Sequence, residues 1–320
     1  MSEKLKFIDL FCGLGGFRIA LEKQNCTCVF SSDIDKSVAQ VYENNFGEYP
    51  SGDITKIDTK DISDFDILCG GFPCQSFSIA GKRLGFEDSR GTMFFEIARI
   101  LKDKSPKAFI LENVKGITNH DNGKTLEKIL GILDDLGYTY IQNVINAKDV
   151  GIPQNRERWY CVGIRKDFNI TLDPKKIFPN KQTILFSYDD IIDDKNNYKK
   201  YQISSICKSN IEKHIGKIKE KNSKYTLAYE IRPSRCQFKS DGISPCLTAK
   251  MGTGGNNVPV IVELNRKLTE KECLELMGYP TGYKIGNGAQ AYKQIGNSVV
   301  VPVLEYISKE LVDILKNQKN

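Results

Sequence analysis

Phe65-Asp66-Ile67-Leu68-Cys69-Gly70-Gly71-Phe72-Pro73-Cys74-Gln75 is an apolar run that ends in two glycines and a proline. It reads as a strand running into a tight turn, since glycine admits backbone angles that other residues avoid and proline cannot continue a central strand. The turn puts Cys74 where parallel α/β sheets place reactive groups, beyond the carboxyl end of a strand. A free cysteine is ordinarily a small buried hydrophobe. This one follows proline in a Gly-rich turn, not the middle of an apolar run, which favours a reactive thiol. A second apolar strand, Ala108 to Leu111, ends in Glu112-Asn113-Val114, and Gln154-Asn155-Arg156-Glu157-Arg158 comes later. One soft nucleophile, one carboxyl group and two arginines fit attack on an electron-poor ring better than hydrolysis.

Working outward, strands and helices alternate through the first half. Leu5 to Leu10, Cys26 to Phe30, Ile67 to Cys69, Phe109 to Leu111 and Tyr160 to Ile164 read as strands. Phe17 to Lys23, Ile34 to Asn44, Thr92 to Lys102 and Thr125 to Leu136 carry helical periodicity. This alternation predicts an α/β fold, a mostly parallel sheet with helices on both faces. It fails after about Asp173, where Lys, Asn and Asp dominate, and residues 226–262 hold short β-like pieces broken by Gly and Pro. We therefore expect three parts. Residues 1–180 form a catalytic and cofactor-binding domain, 181–265 a smaller irregular domain, and 266–320 a helical return to the first, with helices over Leu268 to Met277 and Val299 to Leu315.

The 320 residues suffice for a full core, and 27% charged with 40% hydrophobic residues is the balance of a globular protein. No export signal and no membrane span is read from the sequence, and the ten scattered cysteines include no CxxC pair. A reducing, cytoplasmic (bacterial) setting is expected, with no metal site, since His120 and His214 are the only histidines. Each is read as a solvated surface residue, so Cys74 is expected to act without imidazole as its base. The net charge of +6 permits a polyanionic partner without requiring one.

Asp9-Leu-Phe-Cys-Gly-Leu-Gly-Gly-Phe17 joins the first strand to the first helix. Its glycines allow close approach to a ligand. A dinucleotide fingerprint beginning at Gly13 and Gly15 would need a small residue where Arg18 stands, which argues against nicotinamide and flavin. Asp33 is placed for ribose hydroxyls and Asp53 for an adenine amino group. Together they suggest an adenosyl ligand without pyrophosphate. The competing reading for both aspartates is turn or helix-cap duty.

The ordered series FIDLFCGLGGF, the acid after strand two, GDIT, GFPCQSFS, ENV, QNRER, RKLTEKECLELMGYP and QAYKQIGNSVV resembles the DNA cytosine-5 methyltransferases. The likeness runs from about Phe7 to Tyr306 and is greatest to the short bacterial restriction-modification enzymes of the HhaI type. The resemblance implies the Rossmann-like fold of S-adenosylmethionine-dependent methyltransferases, with a smaller target-recognition domain where likeness is weakest, about 175–262. It implies methyl transfer from S-adenosylmethionine, leaving S-adenosylhomocysteine, to carbon-5 of a flipped-out cytosine in a short duplex DNA site. The route is a covalent adduct of Cys74 at carbon-6. Glu112, Arg156 and Arg158 match the other catalytic positions.

Phe11, Gly13, Leu14, Gly16, Asp33, Ile34, Asp53, Ile54, Pro73, Asn297, Ser298 and Val299 match the cofactor-binding positions. Ile34 departs from the pattern, standing where relatives often carry a bulky aromatic that stacks on adenine. Gln75 to Gly91 matches a loop that closes over DNA, with Gln75, Ser78, Lys82, Arg83 and Arg90 as its DNA-binding residues. In the smaller domain Arg232, Arg235 and Lys250 are the candidates for duplex contact, Arg232 or Arg235 as base reader. A monomer acting on double-stranded DNA is expected. The alternative is a transfer-RNA cytosine-5 methyltransferase on the same scaffold. A catalytically dead binding module and a Rossmann oxidoreductase are further readings, the first opposed by intact Cys74, Glu112, Arg156 and Arg158.

Overall fold

The structure is a computed structural model that describes residues 4–73, 93–180, 186–195, 198–218 and 220–317. By internal contacts the chain divides into two compact units. The first comprises residues 1–145, 157–179 and 303–320, the second 146–156 and 180–302. This division differs from the sequence expectation at two places: residues 146–156 and 266–302 group with the second unit, and the chain rejoins the first only at Val303.

The first unit is built on a six-stranded sheet. Its strands are β1 (Lys6–Leu10), β2 (Thr27–Ser32), β3 (Ile67–Gly71), β4 (Ala108–Val114), β5 (Tyr138–Asn146) and β6 (Glu157–Arg165), in the order β2-β1-β3-β4-β6-β5. β2, β1, β3 and β4 run parallel, and β6 pairs antiparallel with β4. Strands in the middle of such a sheet are covered on both faces, hence the continuous apolar runs. Ile8, Leu10, Leu68, Phe109 and Leu111 are buried in one cluster with Phe94, Ile97 and Leu101 from helix α3 (Met93–Lys104) and Ile129 and Leu133 from α4 (Lys124–Asp135).

One boundary and one unread strand correct the sequence reading. Helix α1 is Gly16–Glu22, near its expected place, but α2 spans Lys36–Phe46 and not Ile34 onward. Asp35 caps it, its carboxylate accepting from Ser37 N–H, and Gly47 ends it at φ 75°. Ile34 therefore lies in a turn. β5 had no counterpart in the sequence reading. It is an edge strand whose Gln142 and Asn143 face solvent, so its apolar alternation is interrupted.

The first unit also holds the short helix α5 (Pro174–Ile177), while the second carries helix α6 (Ser205–Glu212) and a four-stranded antiparallel sheet. The sheet has β7 (Leu227–Arg232), β8 (Arg235–Lys239), β9 (Val260–Ile261) and β10 (Arg266–Lys267) in the order β10-β9-β7-β8. Cys207 and Ile211 of α6 pack with Ala228, Ile231, Cys236 and Val260. Helices α7 (Glu270–Glu275) and α8 (Ala289–Asn297) follow, then α9 (Val301–Asn317). α7 is shorter than its expected span because a Thr269–Glu272 capping box fixes its start.

Candidate active site

The sheet order reverses at β1, which is hydrogen-bonded to β2 on one side and β3 on the other. Open α/β sheets bind ligands at such a switch point, beyond the carboxyl ends of the strands. The loop after β1 turns sharply there: Phe11, Gly13 and Gly15 all have positive φ, at 55°, 53° and 70°. Phe11 in that region is a strained non-glycine, a state that persists only where the surroundings impose it. A side chain at Gly15 would put Cβ 2.3 Å from the Phe46 ring, so only glycine lets the loop pack on α2.

The loop is tied to the end of β2. Cys12 N–H donates to Ser32 O at 3.0 Å, and Gly13 N–H donates to Asp33 Oδ2 at 2.9 Å. The other Asp33 oxygen accepts from Asp35 N–H at 2.9 Å. Burial raises the Asp33 carboxyl, and these two N–H bonds oppose the rise. Asp53 caps a single helical turn that includes Ile54, accepting from Thr55 Oγ1 at 2.8 Å and N–H at 3.1 Å, which lowers its pKa. Both aspartates thus perform the turn and cap duties weighed against ligand binding. Ile34 stands beside Asp33 with 72% of its surface exposed, an unusual setting for a large apolar side chain. Leu14 and Gly16 are buried, and Pro73 is exposed.

Asp9, beneath the loop, was not singled out from sequence. It is wholly buried, and neither carboxyl oxygen has a hydrogen-bond partner of ordinary geometry among the described residues. Burial pushes its pKa well above the usual carboxylate range. Arg18, the residue that breaks the dinucleotide fingerprint, is buried over the Tyr42 and Phe46 rings and bonded to Glu22 at 2.7 Å and to Glu48. Its bulk is housed by α2 and does not intrude on the glycines.

The second half of the site lies at the end of β4. Gly71 of β3 is in register with Glu112, and Val114 of β4 with Arg158 of β6. With a two-residue side-chain period, Glu112 and Arg158 are diagonal neighbours on one face. Arg158 Nε lies 3.3 Å from Glu112 Oε1, with the two side chains 13% and 11% exposed. Asn113, quoted in the motif but given no role, is buried and donates from Nδ2 to Phe72 O at 2.9 Å. It thereby fixes the backbone two residues before Cys74. The expectations on Cys74, Gln75, Ser78, Lys82, Arg83 and Arg90 lie outside the described residues.

Nine described cysteines are free thiols. Burial raises those at Cys12, Cys69, Cys161 and Cys273, pushes Cys26 and Cys236 to about 11 and Cys28 to about 12, so none of these is a thiolate at neutral pH. His120 and His214 are half-buried, not fully solvated. His120 Nδ1 shares a 2.7 Å hydrogen bond with Thr125 Oγ1, and His214 meets Pro233 O. Among the described residues no group of three His, Cys, Asp or Glu is placed to hold a metal ion, and no helix is long and apolar enough to cross a membrane.

In the second unit two arginines take up unexpected positions. Arg156, grouped with the catalytic residues from sequence, is 2% exposed. Its guanidinium donates to Leu247 O at 2.5 Å, Gly296 O at 3.2 Å and Ser298 O at 2.6 Å. It holds together the backbone on both sides of Asn297, in a segment where Ser298 and Val299 are buried and Asn297 is exposed. Gln154 does similar work, donating to Leu276 O at 2.7 Å and accepting from Leu247 N–H at 3.0 Å. Arg232, offered as a base reader, is bonded to Gly255 O and Asn257 Oδ1. Arg235 is exposed and paired with Glu230 at 3.2 Å, and Lys250 is exposed. These oxygen acceptors of Arg156, and the Gly255 O that accepts from Arg232, are main-chain carbonyls, which leave no mark in the sequence.

The family model for C-5 cytosine-specific DNA methylases matches residues 5–313. The chain is 44% identical to the type II methyltransferase M.HhaI of Haemophilus parahaemolyticus, across 95% of this chain and 93% of that protein. It is 41% identical to M.HpaII of Haemophilus parainfluenzae, across 99% of this chain and 92% of that protein. Among solved structures, the S. pombe Dnmt2 methyltransferase superposes with a TM-score of 0.76 at 22% identity, covering 98% of this chain and 99% of that one, which is a likeness of fold.

Proposed function

The chain belongs to the C-5 cytosine-specific DNA methylase family, and on that premise we propose that it methylates cytosine within a short specific site in duplex DNA through a covalent Cys74 adduct. The observation that carries the reading is the Glu112–Arg158 pair at the end of β4, beside the β3 end that leads into Pro73-Cys74. Carbon-5 of cytosine is a weak nucleophile. Addition of the Cys74 thiolate to carbon-6 forms the S–C6 bond and shifts the ring electrons toward carbon-5 and N3. Glu112 hydrogen-bonds N3 and the exocyclic amino group, holding a proton where negative charge develops. Arg158 orients that carboxyl group. After carbon-5 has gained the methyl group, it loses its proton, the S–C6 bond breaks, and the electron pair returns to sulfur as thiolate. The target atom lies inside the stack, so the base is flipped out to react.

S-adenosylmethionine supplies the electrophilic methyl group. The residues of the first unit fit its adenosyl part. The glycine loop allows close approach, exposed Ile34 offers an apolar face for adenine, and Asp33 and Asp53 are aligned acceptors at the ends of their turns. Asn297, Ser298 and Val299 belong to the second unit, and their part in cofactor binding rests on the motif they share with the family. Arg156 is then a positioning residue for that segment. The second unit, lying outside the catalytic set apart from Arg156, is the target-recognition part of a monomer. Covalent trapping tests the reading. Duplex DNA carrying 5-fluorocytosine and a transfer RNA carrying it are each incubated with enzyme and S-adenosylmethionine. A stable adduct on duplex, lost in Cys74→Ser, is expected. An adduct on the transfer RNA alone would replace the DNA reading with the RNA one.

A further inference from the structure

The exposed tip that follows Lys250 is held in one shape from within. Gly254 has φ 75° and ψ −160°, a region essentially reserved for glycine, and Gly255 and Asn256 follow at φ 64° and 55°. Three residues in a row on the positive-φ side would not persist unaided. The foot of the tip is clamped to α8. A Cβ at Gly252 would lie 2.4 Å from Ala289 O, and one at Gly296 would lie 2.1 Å from the Thr248 carbonyl carbon. Thr253, Gly254 and Gly255 are exposed, and added Cβ atoms at Gly254 would meet nothing within 4 Å.

Between foot and tip stand Arg232 and Asn257. Arg232 donates from Nη1 to Gly255 O and from Nη2 to Asn257 Oδ1 at 2.6 Å. Asn257 Nδ2 in turn donates to Gly254 O at 2.5 Å and Thr253 Oγ1 at 3.2 Å, and Thr253 Oγ1 donates to Lys250 O at 2.8 Å. β7 is shaped to deliver Arg232. Between the pairs Tyr229–Gln237 and Arg232–Arg235 it advances one residue more than β8, and Glu230 in that bulge has φ 51°. Arg232 and Arg235 stand opposite each other, a repulsive pairing relieved on one side by the tip carbonyls and on the other by Glu230.

We propose that Arg232 is a positioning residue for target recognition: with Asn257 it fixes the exposed Thr253–Asn256 tip in the shape that meets nucleic acid, and it touches no base itself. The proposal rests on the second unit's being the target-recognition part. A base-reading arginine spends its forked donors on a guanine edge. Here the fork is already engaged by the protein. Discrimination therefore depends on Arg232 through the geometry of the tip.

Arg232→Ala, Asn257→Ala and the double variant are compared with wild type in two arms. Amide hydrogen exchange of the 248–258 segment is followed without nucleic acid. Methylation is measured on the cognate duplex and on duplexes altered at each base pair in turn. Faster exchange in both single variants is expected. With it, KM for duplex rises by about tenfold in each, the change falling on KM far more than on kcat, with tolerance broadened at several base pairs. The double variant should match the singles, because removing either partner frees the same tip. Unchanged exchange in Arg232→Ala would overturn the proposal. So would relaxation at a single base pair in Arg232→Ala with none in Asn257→Ala, which would make Arg232 the reader. If Arg232→Ala fails to fold, Asn257→Ala alone carries both arms. Should wild type prove to act on transfer RNA, the DNA reading fails while the exchange arm still decides the role of Arg232.

Discussion

Glu112→Gln separates what the carboxyl group does for the fold from what it does for the reaction. The carboxylate is 3.3 Å from Arg158 Nε with both side chains largely buried. At an effective dielectric constant of about 20 the bare attraction at that distance is about 5 kcal/mol, an upper bound before desolvation is subtracted. The isosteric amide keeps an oxygen for the guanidinium, so a charge-assisted hydrogen bond becomes an ordinary one at a cost of about 1–2 kcal/mol. The variant should therefore fold, with a modestly lower melting temperature. Its chemistry should suffer more. An amide cannot hold a transferable proton at ring N3, and loss of such assistance typically costs about 10²–10⁴-fold. The assay is single-turnover transfer of labelled methyl to duplex DNA at saturating enzyme, run beside a thermal melt and a DNA-binding titration. A rate within about twofold of wild type in the folded variant, far short of that range, would remove Glu112 from the mechanism. A loss of rate matched by loss of DNA binding would show a binding role instead.

Cys74→Ser should abolish turnover and leave S-adenosylmethionine binding intact by calorimetry, since a serine alkoxide is scarce at neutral pH; methyl transfer near the wild-type rate would refute covalent attack through this residue. Asp9→Asn should abolish a pH dependence. The raised folded pKa means that the native state holds a proton the unfolded state releases above about pH 4, so wild-type stability falls as pH rises toward the folded pKa, by up to about 1.4 kcal/mol per unit. Denaturation midpoints from pH 4 to 8 should fall in wild type relative to Asp9→Asn, and parallel curves would show Asp9 to be ionised in the fold. Gly296→Ala should destabilise by at least about 1–3 kcal/mol, because the new Cβ would stand 2.1 Å from the Thr248 carbonyl carbon; an unchanged melting curve would mean that this packing gives way freely. Exchange of residues 175–265 for the matching segment of a relative should move the methylated site, as mapped by bisulfite sequencing, and a chimera keeping the parent site would put target reading elsewhere.

How far the sequence is legible follows from where each residue's partners come from. β1, β3 and β4 are visible because burial on both faces demands unbroken apolar runs, and their ends are marked by Gly71, by Glu112 and by the glycines after Asp9. β5 and α6 are not, because each meets the core on one side only. β5 interleaves Gln142 and Asn143 with its apolar residues, and α6 buries only Cys207 and Ile211. The same division runs through the site. Glu112 and Arg158 are legible as a pair since both partners are ionisable side chains at strand ends, in a register that the sheet imposes. Arg156 and Arg232 are legible as charges and illegible as roles. Besides Asn257 Oδ1, they donate to the carbonyls of Leu247, Gly296, Ser298 and Gly255, and every residue has a carbonyl. What the sequence does show is the glycine beside the acceptor. Gly252 and Gly296 admit the close packing of the loop foot on α8, and Gly254-Gly255 admits the positive-φ tip. An arginine that precedes such a cluster in an adjacent strand has an inward use for its donors available, and a base contact should be assigned to it only after that use has been excluded.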